Sequence, residues 1–376
     1  MEKSSVMGHS QGPNSMDDEA QFMRRAIEIA ERGRHRVMPN PLVGCVLVKD
    51  GKIIAEGWHD HIGGLHAEQM AIADAEAKGV ATQGSTAYVT LEPCNHFGRT
   101  PPCTEALLWA GVKRVVIGAE DPNPTVRGEG AAILVNSDIE VESGLLAEEC
   151  NAQMSEFMHW CENMRPEVLL KAAVDANGRV DCDPNEPAQR FSSPESLEIV
   201  HALRADSMAI LVGVDTVIRD DPSLTVRGPD IGPRNSPIRV VVDPRGRIPE
   251  DCKLMKDSKA PTLLIHVEPF ESPNSDEQHV ERAVLSDNDG EIPIARILDY
   301  LGDRGIQSLL VEGGPNTWRR ILAEDLVDRA HLCQSPVKLS GSGTVFSDNE
   351  LSSAGLSKFR EIEVGGDKIS HWRRED

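Results

Sequence analysis

Short apolar runs of strand length alternate with helix-length stretches along most of this chain, and that alternation restricts it to an α/β architecture. Asp17, Asp18 and Glu19 precede Phe22, Met23, Ala26, Ile27 and Ala30, an apolar stripe at helical spacing that Gly33 closes. Residues 43–48 (VGCVLV) and 52–56 (KIIAE) flank Lys49-Asp50-Gly51, and Asp-Gly between apolar runs predicts a hairpin. The first sheet is therefore expected to begin antiparallel. An Ala-rich helix over 66–78, a strand over 87–91, a helix after Cys103 and a strand over 114–118 then predict a largely parallel remainder, with the chemistry at strand ends.

The pattern restarts after a helix expected to end near Met164 and a polar stretch containing Pro166. Strands are predicted over 168–174, 209–212, 239–242, 262–265 and 309–311, helices over 195–204 and 317–323, and a Pro/Gly-rich loop over 228–237. A chain of 376 residues exceeds the ~100–200 usual for one domain. The expected organisation is a mobile extension over 1–16, one domain over 17–165 and a second over 166–376.

A formal charge of -22 opposes long-range attraction to a nucleic-acid backbone but leaves room for a small anionic ligand held by a few local arginines. Eight cysteines scattered through so long a chain are not a disulfide framework, and MEKSSVMGHSQGPNSM has no apolar signal-peptide core. A reduced, cytosolic protein is expected. No apolar run reaches the roughly 20 residues that span a bilayer, so no membrane partner is expected either.

The most informative motif is His66-Ala67-Glu68 opening a predicted helix, followed by Pro93-Cys94 and then Cys103. One imidazole and two thiolates make three zinc ligands, and a catalytic zinc keeps its fourth position for water whereas a structural one uses four protein ligands. Glu68, two residues from a ligand and not needed in the coordination shell, has the position of the proton-shuttling glutamate of zinc deaminases. Taken singly, His66 would be an ordinary helix residue and Cys94 and Cys103 buried thiols. The H-x-E…P-C combination favours the catalytic metal over a structural one.

The usual deaminase signature has two residues between its cysteines, whereas here Asn95 to Pro102 intervene. PCNHFGRTPPC, together with MPNPLVGCVLV at 38–48, GWH at 57–59, VTLEPC at 89–94 and DPNP at 121–124, resembles the pyrimidine deaminase of riboflavin biosynthesis over about residues 17–165. The resemblance implies a cytidine-deaminase-like three-layer α/β/α domain. The implied reaction is hydrolytic loss of the 2-amino group from 2,5-diamino-6-(5-phosphoribosylamino)pyrimidin-4-one, with attack at C2, proton transfer by Glu68 and departure of ammonia. It also makes Asn40, His59, His96 and Arg99 substrate contacts, residue types that can read a base edge or meet a phosphate. Asn40, between two prolines, is also compatible with a simple turn.

In the second half, RADSMAILVGVDTVIRDDPSLTVR at 204–227, RVVVD at 239–243 and VEGGP at 311–315 resemble the reductase that follows this deaminase in bifunctional riboflavin enzymes. A dihydrofolate-reductase-like α/β fold and NADPH-dependent reduction of the ribosyl to the ribityl side chain are implied. Carried over by position, Arg204, Leu224, Arg227 and Glu312 become substrate contacts, and Ala173, Thr216, Asp220 and Gly314 cofactor contacts. On their own, the arginines are compatible with solvated charges, Asp220 with a turn, and the Gly-Gly after a strand with a tight structural turn. The chain departs from the family where Asp175-Ala176-Asn177-Gly178-Arg179 replaces Ser-Leu-Asp-Gly-Arg, and where Ala188-Gln189-Arg190-Phe191-Ser192 replaces Ser-x-Trp-Ile-Thr.

Zinc and NADPH are thus the expected cofactors and a small phosphorylated pyrimidine the expected partner; association into a homo-oligomer stays open. Two other readings compete with the bifunctional enzyme. One is a deaminase whose second domain is a degenerate binding or oligomerisation module, suggested by the altered segment from Asp175 to Ser192. The other is a nucleotide-binding regulator with a structural zinc.

Overall fold

The computed structural model describes residues 16–96, 101–123, 129–183, 189–232, 236–269, 278–286, 291–341 and 343–375. The chain divides into two units, Met1–Glu162 and Asn163–Asp376. Of the extension expected over 1–16, only Met16 is described, and it already opens the first helix. Among the described residues no helix is long and apolar enough to cross a membrane.

The first unit contains α1 (Met16–Ala30), β1 (Gly44–Lys49), β2 (Lys52–Trp58), α2 (Ala67–Lys78), β3 (Thr86–Leu91), α3 (Cys103–Trp109), β4 (Arg114–Ala119), α4 (Glu129–Asn136), β5 (Glu140–Ser143), α5 (Ala147–Gln153) and α6 (Ser155–Asn163). Its sheet has the order β2-β1-β3-β4-β5. β1 runs antiparallel to β2 and β3, and β3, β4 and β5 are parallel. The β1–β2 turn places both Asp50 and Gly51 at positive φ, which fits the right-handed twist of a two-residue hairpin.

Because side chains alternate along a strand, β1 feeds two cores. Val46 and Val48 pack with Phe22, Met23, Ile29 and Met154 on one face. Cys45 and Leu47 pack with Ala67, Ala71, Ala75 and Leu107 on the other. This is the three-layer arrangement, and it explains the alanines of α2: they recur every four residues on the face that meets the sheet. The approach is close enough that a Cβ on Gly57 of β2 would collide with the backbone of Ala67 and Ala71. Gly57 therefore sets the seat of α2, and with it the position of the H-x-E motif at the helix start.

The second unit contains β6 (Glu167–Val174), α7 (Pro194–Ala205), β7 (Ala209–Gly213), α8 (Val214–Asp220), β8 (Ile238–Val242), α9 (Lys253–Lys256), β9 (Thr262–His266), β10 (Val280–Val284), α10 (Ile294–Asp303), β11 (Ser308–Val311), α11 (Pro315–Ala323), β12 (Arg329–Gln334), α12 (Asp348–Ser353), β13 (Leu356–Val364) and β14 (Asp367–Arg374). Its nine-stranded sheet has the order β10-β9-β8-β7-β11-β6-β12-β14-β13. Pairing is parallel from β10 through to β12 and antiparallel for the last two pairs. Apolar residues of the central strands again face two ways: Leu170, Leu211 and Val311 lie in one core, Leu169, Ile210, Val212 and Leu310 in the other. Burial on both faces is why these strands read as continuous apolar runs.

Candidate functional site

His66 is the N-cap of α2, and its backbone N–H donates to Gln69 Oε1 at 3.3 Å. Gln69 Nε2 in turn donates to Pro101 O at 2.8 Å, tying the helix start to the inter-cysteine stretch. Cys94 follows β3, and Cys103 is the first residue of α3. Two contacts tie the start of α3 to the residues after β3: Thr104 N donates to Cys94 O at 3.3 Å, and Thr104 Oγ1 to Asn95 Oδ1 at 3.0 Å.

His66 Nδ1 consequently lies 3.5 Å from Cys94 Sγ and 3.3 Å from Cys103 Sγ. The three candidate donor atoms lie within 4.8 Å of one another, a separation that suits ligands of one tetrahedral ion. The hydrogen bond from Cys103, and next that from His66, holds the Cys94 thiol well below its usual range, while the same pairing and burial push Cys103 up. One imidazole and two thiols converging on one point are a donor set that fits zinc, which takes such thiols as thiolates.

Beside these donors is a cavity of about 450 Å³ lined by Asn40, His59, His66, Glu68, Glu92, Cys94, His96, Asp121, Asn123 and Phe157, among others. Glu68 is only 3% exposed, and its carboxyl is pushed up to about 7, chiefly by burial and next by the Cys94 charge. His59 is 4% exposed and stands edge-on to His66, with ring centroids 5.5 Å apart. Its Nδ1 is 2.9 Å from Leu65 O, which can only accept, so Nδ1 carries the hydrogen. Nε2 then accepts from Asn40 Nδ2 at 3.0 Å. Burial, the largest influence, lowers the His59 pKa and favours this neutral form.

The structure thus brings Asn40, His59, His66, Glu68, Cys94 and His96 to one cavity, with His96 exposed. Arg99 lies outside the described residues. Sequence reasoning missed Glu92, Asp121, Asn123 and Phe157. The first three fall in the VTLEPC and DPNP strings and were therefore findable; Phe157, on α6, carries no signal. Glu92 accepts backbone N–H groups from Asp121 at 3.3 Å and Ala131 at 3.0 Å, and so fixes both ends of the 121–131 segment beside the cavity.

In the second unit, Arg204 of α7 donates to both carboxylate oxygens of Glu312 at 2.6 and 2.8 Å, and to Thr225 O at 3.0 Å. Burial pushes the Glu312 carboxyl up, but the Arg204 hydrogen bonds and charge outweigh it, and the net shift is downward. Gly314 caps α11, just beyond β11. A Cβ on Gly314 would lie 3.6 Å from Thr216 Oγ1, and one on Gly313 would press 2.6 Å from Thr317 Cβ. The first turns of α8 and α11 therefore meet over the carboxyl ends of β7 and β11, neighbouring parallel strands, where open α/β sheets bind ligands. A backbone bare of Cβ atoms there fits a dinucleotide phosphate.

Ala173 lies on β6 opposite Cys333. Asp220 ends α8 and is exposed, as is Arg227. Leu224 is buried in the core at positive φ, so its side chain packs inward. Ala188 of the altered segment lies outside the described residues. The other end of that segment is well held: Asp175 accepts backbone N–H groups from Asn177 at 2.8 Å, Arg179 at 2.7 Å and Leu339 at 2.8 Å.

Two family matches divide the chain in the same way. Residues 16–119 match the cytidine and deoxycytidylate deaminase zinc-binding region, and residues 166–370 match the RibD C-terminal domain. The riboflavin biosynthesis protein RibD of Actinobacillus pleuropneumoniae is 40% identical over 329 residues, covering 85% of this chain and 84% of the relative. RibD of Acinetobacter baumannii superposes with a TM-score of 0.86 at 33% identity, covering 96% of this chain and all of that one. The Thermotoga maritima diaminohydroxyphosphoribosylaminopyrimidine deaminase/5-amino-6-(5-phosphoribosylamino)uracil reductase gives 0.83 at 36% identity, with 96% and 99% covered.

Proposed function

Since the chain belongs to the RibD family of riboflavin-biosynthesis proteins, which join a pyrimidine deaminase to a reductase, we propose a specific division of labour among its residues. The substrate is 2,5-diamino-6-(5-phosphoribosylamino)pyrimidin-4-one. The first unit hydrolyses its 2-amino group, and the second uses NADPH to reduce the ribosyl chain of the deaminated product. The observation that carries this reading is the non-ligand carboxyl of Glu68, buried in a base-sized cavity beside three zinc donors.

His66, Cys94 and Cys103 would hold the zinc, whose Lewis acidity would make a water nucleophilic near neutral pH. Glu68 accepts the proton released from that water and returns it to the departing amine, a transfer that needs one group within reach of both faces of the reaction. Its burial beside the donors supports that role. Asn40 reads the base. One N–H of its amide is committed to His59, which leaves its Oδ1 and its second N–H to meet the polar edge of the pyrimidine. His59 contributes by holding Asn40, since both of its ring nitrogens already have partners. His96, exposed on the cavity rim, and Arg99 are assigned to the phosphate.

NADPH supplies the hydride for the second reaction. Ala173, Thr216, Asp220 and Gly314 are assigned to its binding, supported by the close approach of Gly314 to Thr216 at the starts of α11 and α8. Arg227 and Arg204 are assigned to the substrate phosphate, Glu312 to orienting the sugar, and Leu224 to shaping the pocket wall through its backbone. The cluster of bonds at Asp175 favours an intact reductase over a degenerate module, because the replaced residue retains a structural task.

The test is to incubate zinc-loaded protein with the diaminopyrimidine ribosyl phosphate, with and without NADPH, and to identify products by mass spectrometry. Deamination in both tubes and sugar reduction only with NADPH is the expected result. Deamination without reduction would reassign the second unit, and unchanged substrate in both tubes would overturn the reading.

A further inference from the structure

The altered segment of the second unit returns to a buried carboxylate that no catalytic assignment uses. Asp181, with its side chain 4% exposed, pairs at 2.9 Å with the guanidinium of Arg219, which is 22% exposed. Arg219 also donates to Asp183 O at 2.8 Å, so one side chain grips the segment at two points. Asp181 Oδ1 accepts Thr344 N at 3.2 Å, and Val180 N donates to Thr344 O at 2.8 Å. Asp181 is therefore anchored on its far side, and Arg219 is the part whose position it dictates.

Arg219 lies in the last turn of α8, where a cation also complements the helix C-terminus. Thr216 is three residues earlier, on the same side of the helix. It is Thr216 that borders Gly314 at the carboxyl ends of β7 and β11. α8 follows β7 directly and seats Val214 and Val217 in the core, so the grip on Arg219 acts on its C-terminal turn, on the side that carries Thr216.

We propose that the Asp181–Arg219 pair is a positioning latch that locks α8 in the orientation required to hold a pyridine dinucleotide, an inference that rests on the reductase reading above. In this reading Arg219 and Asp181 are positioning residues that act through Thr216 and through Asp220, which Arg219 also meets at 3.8 Å. Their loss is read as weaker cofactor engagement rather than slower chemistry.

The test uses the full-length, zinc-loaded enzyme, with the KM for NADPH and the kcat of reduction measured on supplied deaminated substrate and deamination measured in parallel. D181N keeps the acceptor for Thr344 N and removes the charge. It is expected to raise the KM for NADPH about tenfold, with kcat at saturating NADPH within about twofold and deamination unchanged. R219M should give the same split, R219K should recover part of it, and D181N/R219M should be no worse than R219M alone, as expected for residues acting as one unit. A D181N enzyme with unchanged KM for NADPH, beside a wild type that reduces normally, would overturn the latch and leave the reductase reading standing. A fall in kcat and melting temperature without a change in KM would also overturn it, in favour of a purely structural pair. A wild type that neither binds nor oxidises NADPH would overturn both.

Discussion

In the first unit the reactive atoms come from two stretches of chain, His66 to Glu68 and Cys94 to Cys103, and the metal donors converge to within 4.8 Å. In the second, Arg204 and Glu312 are 108 positions apart and meet only because α7 packs beside the end of β11. The first site is built from residue types that few structural tasks require. The second is built from arginine, glycine and carboxylates, which any protein surface uses, so its identity depends on the fold. A metal site therefore announces itself in sequence, whereas a dinucleotide and sugar-phosphate site emerges only after the sheet has formed.

If the two sites are chemically independent, the largest effect belongs to Glu68. E68Q should keep its zinc and lose deamination by a factor on the order of 10²–10⁴, while reduction of supplied deaminated substrate is unchanged. Metal analysis beside both assays checks this. Zinc retained with deamination intact would transfer the proton relay to another group, Asp121 being the other cavity carboxyl with a raised pKa.

The corresponding change in the second unit acts on stability. E312Q leaves Arg204 buried without its counter-charge, and breaking such a pair costs about 3–5 kcal/mol. The sign with pH follows from the lowered Glu312 pKa. A carboxyl with a folded pKa below its unfolded one stabilises fully above the unfolded value, near 4.5, and loses that contribution as pH falls through the folded one. Wild-type reductase should therefore lose part of its thermal stability on acidification below that value, and E312Q should lose less over the same range. Parallel losses in both proteins would assign acid sensitivity elsewhere.

The same contrast explains what was legible in the sequence. The hairpin at Asp50-Gly51, the helix beginning at His66, and the strands over 86–91 and 114–119 follow from turn chemistry and apolar runs. β5, with the sequence EVES, went unseen because an edge strand with an exposed face carries no apolar alternation. α10 was missed although its buried Ile294, Ile297, Leu298 and Leu301 recur at helical spacing, an oversight of pattern rather than of physics. β13 is mostly exposed and offered no comparable signal. The role of His59 was out of reach for another reason: whether it touches the base or holds Asn40 depends on which atoms its ring nitrogens face, and spacing does not encode that. The division of the chain falls after Glu162, slightly before the Pro166 stretch that marks it in sequence.

A smaller effect tests how α2 is seated. G57A would drive a methyl group into the backbone of Ala67 and Ala71, and neither backbone can rotate away as a side chain would. A cost of roughly 1–3 kcal/mol is expected from overpacking, with weaker zinc retention because His66 begins the displaced helix. Competition with a chelator measures it. Unaltered zinc affinity in a destabilised G57A would show that the metal donors are held by the Gln69–Pro101 and Thr104–Cys94 bonds instead.

The smallest expected effect on function concerns the altered segment itself. D175S restores the residue type of the family, and a serine hydroxyl can accept from the Asn177 or Arg179 N–H much as a short capping side chain does. It has one oxygen where aspartate has two, and Asp175 uses the second on Leu339 N, which lies buried. The substitution should leave that donor without its partner and cost about 1–3 kcal/mol, read as a lower melting temperature. Deamination should be unaffected, and reduction should fall by no more than the unfolded fraction accounts for. A gain in reductase turnover would mean that the hydroxyl, rather than the turn geometry, is what the family's serine contributes, and that Asp175 costs this chain activity in exchange for the anchored turn.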